Sequence, residues 1–132
     1  VQMEVGPVAT EFEQEDIGTT LAKCQRYYQK WLSDTVSDSV MTAAAISDVA
    51  FIGDYFLKTS MRSVPTMGTS GTYKARLKTN DRAITGQPSI NRATTENVQI
   101  FATIATDNNE SGFAGFLKTD DDDAFLEFIA EL

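Results

Sequence analysis

Hydrophobic and polar positions alternate along most of this chain, and a helical spacing stands out in one place only. Val1, Met3 and Val5 alternate with Gln2 and Glu4, the period-two pattern of a half-buried strand, until Gly6-Pro7 breaks it. Leu21, Cys24, Tyr28 and Trp31 follow helical spacing. The acidic run Glu11, Glu13, Glu15 and Asp16 suits the positive end of a helix beginning near Asp16 or Thr19. The aromatics Tyr27, Tyr28 and Trp31 favour strand, which places a switch from helix to strand near Arg26. Ser33–Asp38 is a polar loop whose side chains compete with regular backbone structure. The short apolar pieces of Ala43–Leu57 predict one or two strands.

Arg62-Ser63-Val64-Pro65 predicts extended backbone, because a residue before proline is pushed out of the helical region. Gly68–Gly71 is a turn cluster. Tyr73–Lys78 alternates Tyr, Ala and Leu with Lys, Arg and Lys, so one face meets water, and its cations would discourage edge-to-edge aggregation. Asn80–Asn91 is rich in turn signals and predicts loop, and Asp107–Gly112 predicts an exposed hairpin connection. Val98–Ala105 is the strongest buried-strand segment. Phe113–Leu117 resumes an apolar run and Lys118–Asp123 predicts loop. In the closing strand Ala124–Leu132, Leu126, Phe128, Ala130 and Leu132 form the more apolar face, opposite Phe125, Glu127, Ile129 and Glu131. Short strands at roughly 8–12-residue spacing predict an all-β domain, a mainly antiparallel, jelly-roll-like β-sandwich with one short N-terminal helix.

The bulk numbers narrow the function classes. A chain of 132 residues fits one domain, and 42% hydrophobic with 23% charged residues is ordinary for a folded protein. A net charge of −8 without histidine disfavours nucleic acid and anionic membrane surfaces. No apolar run is long enough to insert in a membrane as a helix. The single cysteine, Cys24, forbids an internal disulfide and is expected to be a small buried hydrophobe.

Candidate chemistry is sparse. Without histidine there is no Ser-His-Asp or Cys-His catalytic set and no His-ligated zinc. No phosphate-loop or dinucleotide glycine fingerprint occurs, and nothing singles out two of the 19 acidic residues as a glycosidase pair, so no enzyme is expected. Asp120, Asp121, Asp122 and Asp123 form the one dense charge cluster. Calcium is the cofactor such carboxylates would take, in an irregular site, against the plainer reading of a solvated turn. Tyr27, Tyr28, Trp31 and Tyr55 are candidates for stacking on sugar rings, against the plainer reading of core or subunit interface.

Four segments carry a family resemblance: VQMEVGPVATEFE (Val1–Glu13), CQRYYQKW (Cys24–Trp31), MRSVPTM (Met61–Met67) and AFLEFIAEL (Ala124–Leu132). Together they resemble the C-terminal domain of bacteriophage tail or head fibre and receptor-binding proteins. Lys74–Asn97 matches nothing specific in that family. The family commonly carries proline and basic residues after VAT, where this chain has Glu11 and Glu13–Asp16, so no inherited contact is carried over there.

The resemblance implies that residues 1–13 are a crossing strand or linker from an upstream fibre domain and that residues 14–132 form the terminal β module. It implies a virion protein, assembled as a homotrimer at the tip of an appendage and contacting other virion proteins and a host-surface glycan. Loops Ser33–Asp38, Asn80–Asn91 and Asp107–Gly112 would then be natural places for binding. Two alternatives remain open: a capsid decoration or head-fibre protein with only virion partners, and a carbohydrate-binding module of an extracellular enzyme.

Overall fold

The computed structural model describes residues 14–105 and 111–131. The crossing segment expected over residues 1–13, most of the Asp107–Gly112 connection and Leu132 lie outside the described residues. One helix, α1 (Ile17–Gln25), precedes nine strands: β1 (Tyr28–Leu32), β2 (Ser39–Ala45), β3 (Ala50–Phe56), β4 (Thr66–Ser70), β5 (Tyr73–Leu77), β6 (Asn80–Ala93), β7 (Asn97–Ile104), β8 (Ala114–Thr119) and β9 (Phe125–Ile129). Asp16 caps the helix by accepting from the Thr19 backbone N–H at 3.2 Å, and Glu15 pairs with Lys23 along its side.

The all-β class with one short helix is what forms, but the sandwich is replaced by a closed barrel and a separate sheet. Strands β2-β3-β7-β6-β5-β8 close into an antiparallel barrel, and β1-β9-β4 form a three-stranded antiparallel sheet. Closure needs strands to approach closely on one side. Ala43, Gly53 and Gly115 sit in one register row of β2, β3 and β8, flanked in that row by Leu77 and Ile100. A Cβ on Gly53 would stand 2.5 Å from the Thr42 carbonyl oxygen, and one on Gly115 would fall on the carbonyl oxygen of Arg76. Small residues on one wall and Leu77 and Ile100 beyond them let the sheet curl while the interior stays filled.

Sheet and barrel share one apolar core. Phe51, Leu77, Val98, Ile100 and Leu117 from the barrel join Leu126 and Phe128 of β9, all fully buried. The Tyr55 ring on β3 stacks on Phe128 with centroids 5.0 Å apart. Buried Gln29 ties the irregular segment after β3 to β1: its side chain donates to the Thr59 carbonyl at 2.7 Å and accepts from the Lys58 N–H at 2.8 Å.

Period-two alternation in β5 and β9 matches the expected faces, with Leu126, Phe128 and Ala130 inward, and the strand expected over Val98–Ala105 forms as β7. Five expectations are corrected. The Gly68–Gly71 turn cluster is mostly strand: Gly68, Thr69 and Ser70 pair with β9 in β4, and the turn begins at Gly71, whose φ is +93°. Asn80–Asn91 is not a loop but most of β6, a long strand bent by register shifts around Pro88 and after Ile90. Arg62–Pro65 precedes β4 as irregular backbone, since Met61 donates its N–H to Thr95 and Arg62 to Arg26 rather than to a sheet ladder. Strand β5 has no free edge to protect, because β6 and β8 pair with it on both sides. Cys24 is exposed rather than buried: α1 carries no buried residue, and Ile17 and Leu21 on its apolar stripe are 84% and 54% exposed.

Candidate functional site

Outward-facing positions of β5 and β8 assemble a cationic, aromatic surface. Strand pleating puts Tyr73, Ala75 and Leu77 into the core, so Lys74 and Arg76 point out. On β8, Leu117 and Thr119 go inward and leave Phe116 and Lys118 outside. Register then places Arg76 opposite Phe116 and Lys74 opposite Lys118. Lys78 opens the two-residue turn into β6, with its ammonium 3.8 Å from the Phe113 ring centroid. Ser39, Arg76, Lys78, Phe116 and Lys118 line an open depression of about 310 Å³. Phe116 is 46% exposed.

Two carboxylates answer part of this charge. Asp120 accepts from the Lys74 ammonium at 2.6 Å, and Asp81 lies 3.2 Å from the Arg76 guanidinium and 3.7 Å from Lys74. The hydrogen bond that Lys74 donates to Asp120, followed by the nearby negative charges of Asp120 and Asp81, holds the Lys74 pKa above its ordinary value against the opposing effect of burial. Lys118 has no ion pair among the described residues. Like charges directly across a strand pair are destabilising, and here Asp120 and Asp81 answer the charge on the Lys74 side of the pair. The arrangement can stack a ring on Phe116 and hold an anion beside it.

The residues singled out from sequence do not converge. Tyr27 is exposed with the Arg62 guanidinium 5.7 Å from its ring centroid, and Arg62 also donates to its hydroxyl at 3.3 Å. Tyr28, on the outer face of the three-stranded sheet, donates to Glu127 at 3.0 Å, and that hydrogen bond raises its pKa. Trp31 and Tyr55 are half-buried against the core.

The aspartates are mostly spoken for. Asp121 accepts from the Thr72 N–H at 2.6 Å and the Thr72 hydroxyl at 2.8 Å, fastening the β4–β5 turn, while Asp120 serves Lys74. Asp122 and Asp123 are exposed. Among the described residues no group of three or more carboxylates or thiols is placed to hold a metal ion.

The Ser33–Asp38 loop closes on itself. Asp38 accepts from the backbone N–H of Asp34 at 2.8 Å and of Thr35 at 3.1 Å, and from the hydroxyls of Thr35 and Ser33. These hydrogen bonds, the one from the Asp34 N–H foremost, hold its carboxyl below the usual range.

Sequence reasoning missed Arg76, Phe116, Lys118 and the Lys78–Phe113 pair as a unit. The Lys-Arg-Lys alternation was visible, but β8 is a distant partner that only topology supplies. Comparison with protein-family models, with curated proteins and with solved structures gives no significant match to this chain.

Proposed function

We propose that this chain is a virion structural protein, the tip domain of a bacteriophage fibre, which attaches the particle to a host-surface glycan as a homotrimer. The observation that carries attachment is the outer face of β5 and β8: an exposed ring beside a cation without an ion pair among the described residues, on the wall of a closed barrel. A rigid strand-borne site needs little ordering on binding. The setting on a virion rests on the resemblance of Cys24–Trp31, Met61–Met67 and the two termini to phage fibre domains.

Support for self-association comes from the opposite kind of surface. Helix α1 leaves Ile17 and Leu21 in water, and on β1 Tyr28 and Leu32 are exposed on either side of Lys30. A second copy covering them would contribute roughly 25 cal/mol per Å² of apolar area removed from water. The alternative, a decoration or head-fibre protein with only virion partners, is favoured by Phe56, 74% exposed beside Ile52 on β3, across the barrel from β5.

Two measurements test the proposal. Light scattering on the eluting chain, with and without a calcium chelator, is expected to give a trimer indifferent to chelation. A monomer in both conditions overturns the trimeric assignment. An array of bacterial surface polysaccharides is expected to show selective binding. An array on which nothing binds, with the chain folded, removes the attachment role in favour of virion partners alone.

A further inference from the structure

We infer that the depression between β5 and β8 is a subsite for a carboxylate-bearing sugar, a hexuronate residue of an acidic polysaccharide. This rests on the attachment reading and names its ligand class. Three features of the face select that chemistry.

The first is the cross-strand pair of like charges. Lys118 stands opposite Lys74, whose ammonium is already satisfied by Asp120 and approached by Asp81. Among the described residues Lys118 has no ion pair, so its charge is available to an anion over β8.

The second is the ring. Phe116 lies between Lys118 on its own strand and Arg76 directly opposite, so a flat, apolar ring face and a negative group on that ring are recognised side by side. A sugar offers C–H groups on one face, and the carboxylate of a hexuronate extends from the ring edge to reach a flanking cation. Arg76 gives Asp81 one N–H of its fork, at 3.2 Å, and keeps donors free for a carboxylate.

The third is charge density. Four cations, Lys74, Arg76, Lys78 and Lys118, face two carboxylates, Asp81 and Asp120, within a chain whose net charge is −8. A densely charged polymer such as a nucleic acid would meet too few cations here and repulsion from the rest of the surface. A polysaccharide carrying one carboxylate per hexuronate, spaced by sugar rings, asks for what the face supplies.

The experiment titrates short oligogalacturonate, its methyl ester and an oligothymidylate into the isotope-labelled full chain, followed by amide NMR shifts. The expected result is that oligogalacturonate shifts residues of β5 and β8 and that the ester binds about tenfold more weakly, the size of one lost charge-assisted contact. Binding should also weaken as salt rises. Lys118→Gln and Phe116→Ala should each lower affinity about tenfold, while Lys58→Gln, outside the face, should leave it unchanged.

Equal binding of acid and ester, or preference for neutral glycans on the array, overturns the uronate assignment and leaves glycan attachment standing. Binding of oligothymidylate in preference to the acid overturns it in favour of single-stranded nucleic acid. Shifts confined to other surfaces overturn the placement. An array without any glycan binder, by contrast, removes the attachment reading itself.

Discussion

The Ser33–Asp38 loop and the outer face of β5 and β8 are both polar, and they differ in how completely their groups are answered. In the loop, one carboxylate, Asp38, collects four donors, and the buried hydroxyls of Ser33 and Thr119 lie 3.1 Å apart. Thr119 also accepts from the Asp38 N–H at 3.1 Å, which locks the start of β2 to the end of β8. On the face, one residue earlier in β8, Lys118 has no carboxylate partner among the described residues and stands across from another lysine. A satisfied network holds the fold together; an unsatisfied one on a rigid strand is available for something else. The sequence positions are adjacent, so strand pleating alone separates the structural side from the exposed one.

The largest way to break both regions at once is Gly115→Ala. The new Cβ would fall on the Arg76 carbonyl oxygen, in the row where β8 meets β5, and backbone cannot yield there as a side-chain tip can. We expect a loss of about 3 kcal/mol in urea unfolding, or failure to fold, because overpacking against main chain has no cheap relaxation. A soluble, wild-type-stable Gly115→Ala would mean that the barrel does not close through this row.

Next comes Ser33→Ala, which should strike the loop and spare the face. It leaves the buried Thr119 hydroxyl without its Ser33 partner, and removal of one partner of a buried hydrogen bond costs about 1–3 kcal/mol. Ligand affinity at Phe116 should be unchanged. Combined with Thr119→Val, the losses should be less than additive, since both remove the same 3.1 Å hydroxyl contact.

The two regions should also separate by pH. Asp38 has a depressed pKa, so its contribution to stability is present above the unfolded carboxylate value of about 4 and fades as pH falls through its lower folded value. Lys74 has a raised pKa. Its contribution is whole below the unfolded lysine value of about 10.4 and fades as pH climbs through the higher folded value. Melting temperature against pH should therefore lose an acid limb in Asp38→Asn and an alkaline limb in Lys74→Gln. An Asp38→Asn protein with an unaltered acid limb would show that other carboxylates dominate acid unfolding.

Local physics made parts of this molecule legible in its sequence. The helix start near Asp16, the helix-to-strand switch near Arg26, and the period-two faces of β5 and β9 depend on residues within a few positions of each other. Closure of the barrel does not. It rests on β2 meeting β8, β3 meeting β7 and β5 meeting β8, pairings between distant segments whose condition is the small side chains of Ala43, Gly53 and Gly115. Strand β6 was hidden because Gly86-Gln87-Pro88 signals a turn where the barrel uses it as a bend. Helical spacing of Leu21 and Cys24 predicts a buried stripe, and the exposed helix shows that periodicity reports an apolar face without naming what covers it. The candidate site was half visible: Lys74 and Arg76 stood out, but Phe116 was lost in an apolar run until register set it opposite Arg76.

Lys118→Gln has the smallest expected effect on stability and discriminates most sharply between the two regions. If Lys118 served the fold, removing its charge would cost stability. With no ion pair among the described residues and a like charge opposite, it should instead gain a few tenths of a kcal/mol, the lower end of cross-strand charge effects. The same substitution should weaken oligogalacturonate binding about tenfold. Opposite signs on the two readouts are the signature of a residue kept for a ligand at the expense of stability. Added salt should shrink the stability gain, because screening relieves the same repulsion in the wild-type protein. A Lys118→Gln protein that melts lower than wild type at low salt would place Lys118 on the structural side of the comparison, with Thr119, and leave Arg76 and Phe116 to account for the face alone.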